Sequence, residues 1–204
     1  MTQNRALIIF VRNPELGKVK TRLAQTVGDR EALDIYMALL QHTRQIAESL
    51  NTDRLLFYSH FIDETDGWSA RYFQKFLQSA GDLGEKIKQG FERAFEQHDK
   101  VLIIGSDCAS LSHEIVEEAF QALDTNDFVL GPALDGGYYL LGMNQFTPSL
   151  FENMPWSTEQ VAQLSLEKMK ALGGSCHLLK PLSDIDYAED WEKYGWELEK
   201  GDLA

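Results

Sequence analysis

The sequence predicts an α/β fold, a mixed and mostly parallel sheet with helices on both faces. Two segments, Ala6–Val11 and Val101–Ile104, are continuous apolar runs of the kind that form strands buried on both faces. Segments with helical spacing of apolar residues alternate with such runs, which is typical of a parallel sheet. The turn signal Asp135-Gly136-Gly137 predicts a hairpin or a sharp reversal, and a hairpin here would make the sheet mixed.

The other elements follow from local patterns. Apolar residues at helical spacing predict a helix over Asp29–Leu50, and Leu55–Tyr58 predicts a short strand. Residues 60–80 have weak periodicity and are interpreted as a loop and one helix. The remaining predicted elements are a helix opened by Gly81-Asp82-Leu83-Gly84, a helix around 115–123, strands at Phe128–Leu130 and Tyr138–Leu141, a helix from a Ser157/Gln160 capping box to about Leu172, a strand at Cys176–Leu179 and a C-terminal amphipathic helix.

Length and composition limit the class of protein. The 204 residues are 44% hydrophobic, enough for one sizeable core, so we expect a single domain over residues 1–204. No apolar run approaches the length of a membrane span, and the first run is too short for a signal peptide. Cys108 and Cys176 give no disulfide framework or metal spacing. We therefore expect buried free thiols and a cytoplasmic location.

The charge balance excludes one class of partner. The formal net charge is −13, whereas a nucleic-acid-binding protein needs basic residues to neutralise phosphates. We expect no nucleic-acid partner. Any anionic ligand must be bound by a local basic site or through a metal.

The first candidate site directly follows the first strand. Gly17 allows the backbone to approach a ligand, and Lys18, Lys20 and Arg22 place three cations within five residues. A turn with free N–H groups and cationic side chains is suited to a phosphate chain. The segment is not a Walker loop, because it lacks the first glycine and the hydroxyl of that motif. The alternative interpretation is a solvated basic turn.

Carboxylates follow two other predicted strands. Asp107 ends the run at Val101–Ile104, and Asp184 and Asp186 follow the last strand. In α/β sheets ligands bind beyond the carboxyl ends of the strands, so these carboxylates could share Mg²⁺ or Mn²⁺. Two alternatives stay open. Asp107 could cap a turn or helix, and Asp186 with Glu189 fits the N-terminus of the C-terminal helix.

Three further segments could line the same site. In Asp135-Gly136-Gly137-Tyr138-Tyr139 the glycines permit close approach of a ligand, and the aromatic rings could stack on a base or sugar. Gly81-Asp82-Leu83-Gly84 could present backbone N–H groups to a nucleotide. Pro155-Trp156-Ser157-Thr158 could form one wall of an acceptor pocket. The alternatives are an ordinary chain reversal for the first segment and helix starts for the other two.

Together these segments resemble a bacterial family of glycosyltransferase A-type (GT-A) proteins that is classed as a domain of unknown function. Its members are named transferase 1 or arsenosugar-biosynthesis-type glycosyltransferases. The matching segments, in the family's order from Ile8 to Asp190, are PELGKVKTRL, GDLGEKI, IIGSDC, LGPALDGGYYLLG, PWST and DIDYAED. The chain departs from the family at Ala109, where proline is usual, and at Tyr187-Ala188, where the family has Thr-Pro.

The resemblance implies the nucleotide-diphospho-sugar transferase fold and its site. It implies that the basic loop after the first strand holds a triphosphate, and we therefore expect Lys18, Lys20 and Arg22 to hold the outer phosphates of the donor. It also implies that Asp107 binds the metal with Asp184 or Asp186. The implied partners are a nucleoside triphosphate or a nucleotide sugar, together with a small acceptor.

Two reactions remain open for such an enzyme. The basic loop favours nucleotidyl transfer, and so does Ala109, which stands at the second position of the Asp-x-Asp motif usual in glycosyltransferases of this fold. The names of the family members favour glycosyl transfer. An alternative from another class is a nucleotide-binding module without catalysis.

Overall fold

The computed structural model describes residues 4–198, which form seven strands and six α-helices. The strands are β1 (Arg5–Val11), β2 (Asp53–Tyr58), β3 (Gln74–Leu77), β4 (Lys100–Ile104), β5 (Phe128–Pro132), β6 (Tyr138–Met143) and β7 (Cys176–Leu178). The helices are α1 (Thr21–Val27), α2 (Asp29–Ser49), α3 (Leu83–Phe95), α4 (His113–Ala122), α5 (Val161–Ala171) and α6 (Ala188–Tyr194). The single-domain prediction for residues 1–204 extends beyond the described residues and stays a prediction.

The strands form one sheet in the order β3-β2-β1-β4-β6-β5-β7. Only β6 runs against its neighbours, β4 and β5, while all other adjacent pairs are parallel. The predicted mixed, mostly parallel α/β fold is therefore confirmed. The predicted hairpin is also confirmed, because β5 and β6 pair antiparallel across the turn at Asp135-Gly136-Gly137.

The two faces of the sheet bury alternate side chains of the same strands. In β1, Leu7 and Ile9 join the cluster under α2 and α4, while Ala6 and Ile8 join the cluster under α3 and α5. Burial on both faces explains why β1 and β4 are continuous apolar runs in the sequence. A third cluster packs α1 and α6 against α2, with Ile185 completely buried.

Within residues 60–80 the sequence predicted a loop and one helix, but the regular element there is the strand β3, Gln74–Leu77. β3 pairs in parallel with the edge of β2, and the ring centroids of Phe57 and Phe76 lie 5.1 Å apart. Pairing with β2 at the sheet edge determines the secondary structure of this segment, since the periodicity of its own sequence is weak. The short helix α1 was not predicted. It holds fully buried Leu23 in the third cluster.

One predicted helix cap, at Ser157, is wrong, and so is the alternative interpretation of Asp186 with Glu189 as a helix cap. The segment at Ser157 does not start a helix: Ser157 has a φ of 64°, and α5 begins only at Val161. At the C-terminal helix, Asp186 and Glu189 do not form the cap. Instead the carboxylate of Asp190 accepts the backbone N–H groups of Asp186 and Tyr187, at 3.0 and 2.8 Å. The carboxylate of Asp186 is therefore available for other contacts.

Cys108 is buried, Cys176 is half-buried, and both are free thiols. Burial raises the pKa of Cys108 to about 12 and that of Cys176 to about 11, so neither is a reactive thiolate at neutral pH. Across residues 4–198, every helix falls short of the length and apolar character that a membrane-spanning helix needs.

An ion pair between buried Arg5 and half-buried Glu117 ties β1 to α4 and gives a pH-dependent prediction. Both terminal nitrogens of Arg5, which is 5% exposed, donate to the carboxylate of Glu117 at 2.9 Å. These bonds hold the pKa of Glu117 below its usual range. The ion pair therefore stabilises the folded state above the unfolded-state pKa of Glu117, about 4.3. This stabilisation is lost as the pH falls through the lower pKa that Glu117 has in the folded state.

We expect Glu117→Gln to lower the free energy of unfolding at pH 7 by about 1.5–3 kcal/mol, the usual range for hydrogen bonds to charged groups. The difference from the wild type should shrink as the pH falls below about 4, because wild-type Glu117 then also becomes neutral. Urea denaturation at pH 7, 5 and 3 measures both effects. A stability difference between Glu117→Gln and the wild type that stays constant from pH 7 to pH 3 would contradict the role assigned to this ion pair.

Candidate functional site

The carboxyl ends of β1 and β4 bring a lysine and an aspartate together. The two strands are parallel neighbours, so the loops that follow them leave at the same edge of the sheet. Lys20 Nζ lies 2.7 Å from Asp107 Oδ1, and the Lys20 side chain is only 5% exposed. The backbone at Lys20 is left-handed (φ 47°), an uncommon conformation for this residue type that charge pairing helps to offset.

The segment after β7 joins this pair. Arg22 Nη1 lies 3.0 Å from Asp186 Oδ2, and Lys20 Nζ lies 3.8 Å from Asp186 Oδ1. The backbone N–H of Ile185 donates to the carbonyl oxygen of Asp107 at 2.9 Å, which ties the segment to the end of β4. Four residues predicted for the site therefore form one connected group of charges.

Asp184 lines a cavity together with Asp107, a member of this charged group. The pKa of Asp184 is raised to about 7, mainly by burial and then by the carboxylates of Asp107 and Asp135, while Lys20 acts in the opposite direction. Burial, the largest cause, disfavours the charged form of this carboxyl group, and the neighbouring carboxylates add to that cost. An added cation would offset the part that is due to the carboxylates.

Lys18 does not join the connected group. It pairs with Glu15 instead, with Nζ 2.6 Å from Oε2, and its side chain is 66% exposed. Gly17 lies between these two residues and has a φ of +72°, and the Lys18 N–H donates to the carbonyl oxygen of Glu15 at 3.0 Å to close the turn. The basic loop therefore contributes Lys20 and Arg22 to the group.

The structure adds residues that the sequence analysis did not assign to the site. Beside the charged group lies a cavity of 310 Å³, lined by Arg12, Val19, Lys20, Thr21, Arg22, Tyr36, Asp107 and Asp186. Tyr36 Oη donates to the carbonyl oxygen of Arg12 at 3.0 Å and accepts its N–H at 2.9 Å, which fixes the chain leaving β1. Arg12 could have been noticed because it directly follows the strand. Tyr36 could not, since it resembles any apolar-face residue of α2.

A second cavity, of 230 Å³, lies on the other side of Asp107. It is lined by Phe10, Leu83, Ile87, Ile103, Ile104, Gly105, Asp107, Cys108, Tyr138, Tyr139 and Asp184. Tyr138 and Tyr139 belong to a predicted segment, and the first residue of α3, Leu83, belongs to another. The remaining apolar residues carry no sequence signal that separates them from core residues.

The segments at Gly81–Gly84 and Pro155–Thr158 pack against each other. A Cβ atom at Gly84 would come within 2.2 Å of the indole nitrogen of Trp156, so the glycine is needed for this contact. Asp82 caps α3 by accepting a backbone N–H of its first turn at 2.9 Å. Thr158 Oγ1 donates to a carbonyl of its own turn at 2.8 Å. Asp82 thus fills the structural role that was its alternative, the start of a helix, whereas Thr158 closes a turn that precedes α5.

The hairpin turn packs against the start of α5. Gly136 has a φ of +90°, and a Cβ there would lie 2.1 Å from the carbonyl oxygen of Glu159. The Gly136 carbonyl oxygen accepts the N–H of Ala162 at 2.9 Å. Asp135 Oδ1 accepts the N–H of Gly137 at 2.8 Å and so closes the turn. Gly136 therefore serves close packing of the backbone.

Sequence comparison assigns the family. Residues 40–158 match the family described as "Uncharacterized protein conserved in bacteria (DUF2064)". The chain belongs to this family. The range that matches contains Asp107 and the hairpin turn but neither Lys20 nor Asp186. The predicted family resemblance is confirmed. No curated protein matches this DUF2064 chain in sequence.

Solved structures agree with this assignment. A proposed nucleotide-diphospho-sugar transferase from Desulfovibrio desulfuricans G20 is 31% identical, with a TM-score of 0.85 over 91% of this chain and 83% of that one. The 4-diphosphocytidyl-2C-methyl-D-erythritol synthase from Anaerococcus prevotii DSM 20548 is 12% identical, with a TM-score of 0.60 over 96% and 98%. The inositol-1-phosphate CTP transferase from T. maritima is 14% identical, with a TM-score of 0.57 over 93% and 92%. The predicted nucleotide-diphospho-sugar transferase fold is thus confirmed, and the last two proteins share the fold alone.

Two adjacent tyrosines of this DUF2064 chain differ in their hydrogen bonding. Tyr139 Oη donates to the carbonyl oxygen of Lys180 at 3.0 Å. Tyr138 Oη is buried and has no hydrogen-bond partner among residues 4–198. We expect Tyr139→Phe to lower the free energy of unfolding by about 1 kcal/mol. Tyr138→Phe should leave it unchanged or raise it, because the lost hydroxyl was unsatisfied.

Chemical denaturation of the two variants, side by side, measures the difference. Each variant serves as the control for the other, since both remove one oxygen from neighbouring rings of β6. Equal destabilisation of both variants would show that the Tyr138 hydroxyl has a partner in solution.

Proposed function

We propose that this chain is a transferase that acts on the phosphate chain of a nucleotide. The observation that carries the proposal is the 2.7 Å contact between buried Lys20 and Asp107 at the carboxyl ends of β1 and β4. This edge of an α/β sheet is where ligands bind. The fold shared with the Desulfovibrio protein, a proposed nucleotide-diphospho-sugar transferase, supports the same class of donor.

The basic cavity is suited to the outer phosphates of the donor. Arg12, Lys20 and Arg22 line it and supply three cations in a chain whose net charge is −13. Transfer of a phosphorus- or sugar-centred group depends on positioning and on neutralising negative charge. In this proposal Lys20 and Arg22 hold the outer phosphates, and exposed Lys18 adds a weaker attraction at the mouth.

The proposal includes Mg²⁺ or Mn²⁺. Within residues 4–198, no group of three or more His, Cys, Asp or Glu side chains could hold a metal by itself. Mg²⁺ often binds one or two carboxylates and takes its other ligands from phosphate oxygens and water. Asp107, with Asp184 or Asp186, fits that smaller set. When bound, the ion would offset the negative charge that develops on the leaving phosphate.

Nucleotidyl transfer is the reaction that the basic cavity favours. The acceptor oxygen bonds to the α-phosphorus, pyrophosphate leaves, and the acceptor loses its hydroxyl proton. A triphosphate carries more charge for three cations to hold than a nucleotide sugar does. Glycosyl transfer is the second candidate, because of the name given to the Desulfovibrio protein. In that reaction the acceptor bonds to a sugar carbon and a nucleoside diphosphate leaves.

A thermal unfolding screen tests the proposal. The full chain is heated with ATP, CTP, GTP, UTP and a set of nucleotide sugars, each with and without Mg²⁺ or Mn²⁺. A ligand at about 100 times its Kd adds about 2.7 kcal/mol to the stability of the folded state. Release of pyrophosphate or of a nucleoside diphosphate then separates the two reactions. Stabilisation without product for any acceptor would favour a binding module, and no stabilisation by any nucleotide would contradict the proposal.

Asp107→Asn tests the metal within the same screen. We expect the variant to lose the extra stabilisation that Mg²⁺ or Mn²⁺ adds. It should keep some of the stabilisation that the nucleotide gives without metal, because Arg12, Lys20 and Arg22 remain. Asp124→Asn is the matched control. Asp124 pairs with Lys100 at the opposite end of β4, so its removal should leave the metal dependence unchanged. An unchanged metal dependence in Asp107→Asn would contradict the assigned role.

A further inference from the structure

Arg12 also lines a third cavity, of 110 Å³, which lies between α2, the ends of β1 and β2, and residues 66–68. We call it the α2 cavity. Among the described residues, Arg12 alone lines both this cavity and the basic cavity. A single water molecule needs about 10–15 Å³ of such volume. The α2 cavity therefore has room for a group several times larger than water.

Arg44 brings a guanidinium group to the α2 cavity. It is half-buried on α2, and a Cβ atom at Gly67 would come within 1.6 Å of its Nη1, so the guanidinium lies directly against Gly67 in the cavity wall. Within residues 4–198, neither Arg44 nor Arg12 forms an ion pair with a carboxylate. In a chain with a net charge of −13, two such arginines at one cavity are free to bind an anionic ligand.

Two further hydrogen-bond donors line the α2 cavity. Gln41 lies three residues before Arg44, so the two side chains share one face of α2, and its amide has no partner among residues 4–198. Trp68 is 4% exposed, and across the same residues its hydrogen bond is that of the backbone N–H, so the indole N–H is also without a partner. Buried tryptophan N–H groups usually have one. An oxygen of a ligand in the cavity would supply it.

Asp66 is the acidic residue among the described residues of the wall, and its charge is already neutralised. Its Oδ1 accepts hydrogen bonds from Lys75 Nζ at 2.8 Å and from the Trp68 backbone N–H at 3.0 Å, while its Oδ2 accepts one from Tyr58 Oη at 2.5 Å. Lys75 is buried, and opposite charges this close together in a buried region attract strongly. The charge that the wall offers to a ligand is therefore positive.

We propose that the α2 cavity binds a phosphate group, at a site separate from the basic cavity. The two guanidinium groups match the charge of a phosphate group, about −1.5 to −2 at pH 7, and their planar sets of donors match its oxygens. The phosphate belongs either to the end of a nucleotide that extends past Arg12 or to a second small molecule. Binding of free phosphate to this site does not depend on the proposed transfer reaction.

Inorganic phosphate is the probe for the first test. It is titrated into the full chain at constant ionic strength, and the indole N–H signals are followed in ¹H–¹⁵N NMR spectra. The chain has four tryptophans, and Trp68→Phe identifies the signal of Trp68 by removing it. We expect phosphate to shift this signal with saturation, and sodium chloride to give no saturable shift. The absence of a saturable shift with phosphate overturns the proposal.

Arg44→Met should weaken phosphate binding at Trp68 by about tenfold or more, because charge-assisted hydrogen bonds are lost. Arg30→Met is the matched control on the same helix, since Arg30 is exposed and pairs with Asp34. It should change the affinity by less than about twofold, as only a screened surface charge is removed. Equal losses in the two variants overturn the proposal.

Arg22→Met separates the two cavities, because Arg22 lines the basic cavity and not the α2 cavity. The variant should keep the saturable shift of the Trp68 signal. Loss of the shift in Arg22→Met together with its retention in Arg44→Met would mean that phosphate acts from the basic cavity, and would overturn the proposal.

Gly67→Ala tests the position of the Arg44 guanidinium without a change of charge. The backbone at Gly67 is not left-handed, so alanine is allowed there, but its Cβ would displace the end of the Arg44 side chain. We expect phosphate affinity to fall by about fivefold or more, because charge-assisted hydrogen bonds depend on geometry. If Arg44→Met does not fold, this variant decides the matter, and wild-type affinity in Gly67→Ala then overturns the proposal.

Competition distinguishes the two sources of the phosphate group. If the triphosphate that stabilises the chain shifts the Trp68 signal and blocks the response to inorganic phosphate, its terminal phosphate occupies the α2 cavity. If the response persists in the nucleotide complex, the cavity serves a second molecule, and glycerol 3-phosphate should then displace inorganic phosphate. Either result supports the site. If no nucleotide stabilises the chain, the transferase function fails, while the titration with inorganic phosphate still tests the α2 cavity.

Discussion

Lys20→Met is expected to lower kcat/KM for transfer by about 100-fold or more, the loss typical for removal of one preorganised group that stabilises developing charge. Lys20 is the cation that contacts Asp107, at 2.7 Å, and its side chain is buried. A buried ammonium meets a phosphate oxygen in a region of low dielectric, where charge-assisted bonds are strongest. The same substitution should remove most of the stabilisation by the nucleotide found in the thermal screen.

Lys18→Met is the control for this prediction, because it removes an identical charge two residues away. Lys18 is exposed and pairs with Glu15, and surface pairs of this kind contribute little. We expect less than about a fivefold change in kcat/KM, since only screened long-range attraction is lost. Equal losses for the two variants would mean that the loop acts through its total charge, and that the inward position of Lys20 has no special role.

Most of the fold could be predicted because its signals are local and strong. The runs that became β1 and β4 are apolar on both faces, and Asp135-Gly136-Gly137 marks the hairpin. The segments that were missed are short. β3 has four residues and α1 has seven, and each depends on contacts with distant parts of the chain. Pairing at the edge of β2 decides the first, and burial of Leu23 decides the second.

The sequence predicted the part of the candidate site that is formed by residues directly after parallel strands. Lys20 and Asp107 follow β1 and β4, which are neighbouring parallel strands and so end at one edge of the sheet. Asp186 lies on the segment after β7, and the bond from the Ile185 N–H to the carbonyl oxygen of Asp107 ties that segment to the same edge. The sequence could not show which lysine turns inward, because the left-handed backbone at Lys20 has no signature in residue type. The second cavity, of 230 Å³, could not be predicted from the sequence for a related reason. Residues such as Ile87 are apolar whether or not a neighbour fills the space beside them.

Gly136→Ala is expected to lower the free energy of unfolding by about 3 kcal/mol or more, at the upper end of single-residue effects. The residue has a φ of +90°, which alanine adopts only with strain. A Cβ would also lie 2.1 Å from the carbonyl oxygen of Glu159. The obstacle is backbone, so no side-chain rotation can make room. Either the hairpin turn or the start of α5 must move.

Gly173→Ala separates strain from the clash. Gly173 has a φ of +76°, yet a Cβ there would meet nothing within 4 Å, so only the backbone cost of about 1 kcal/mol should appear in urea denaturation. The excess cost at Gly136 then measures the close approach of the hairpin to α5. Because the Gly136 carbonyl oxygen also accepts the N–H of Ala162, displacement of the turn would weaken that bond too. Equal costs at the two glycines would mean that the turn and the helix are less tightly packed in solution, with Tyr138 and the cavity wall free to shift with them.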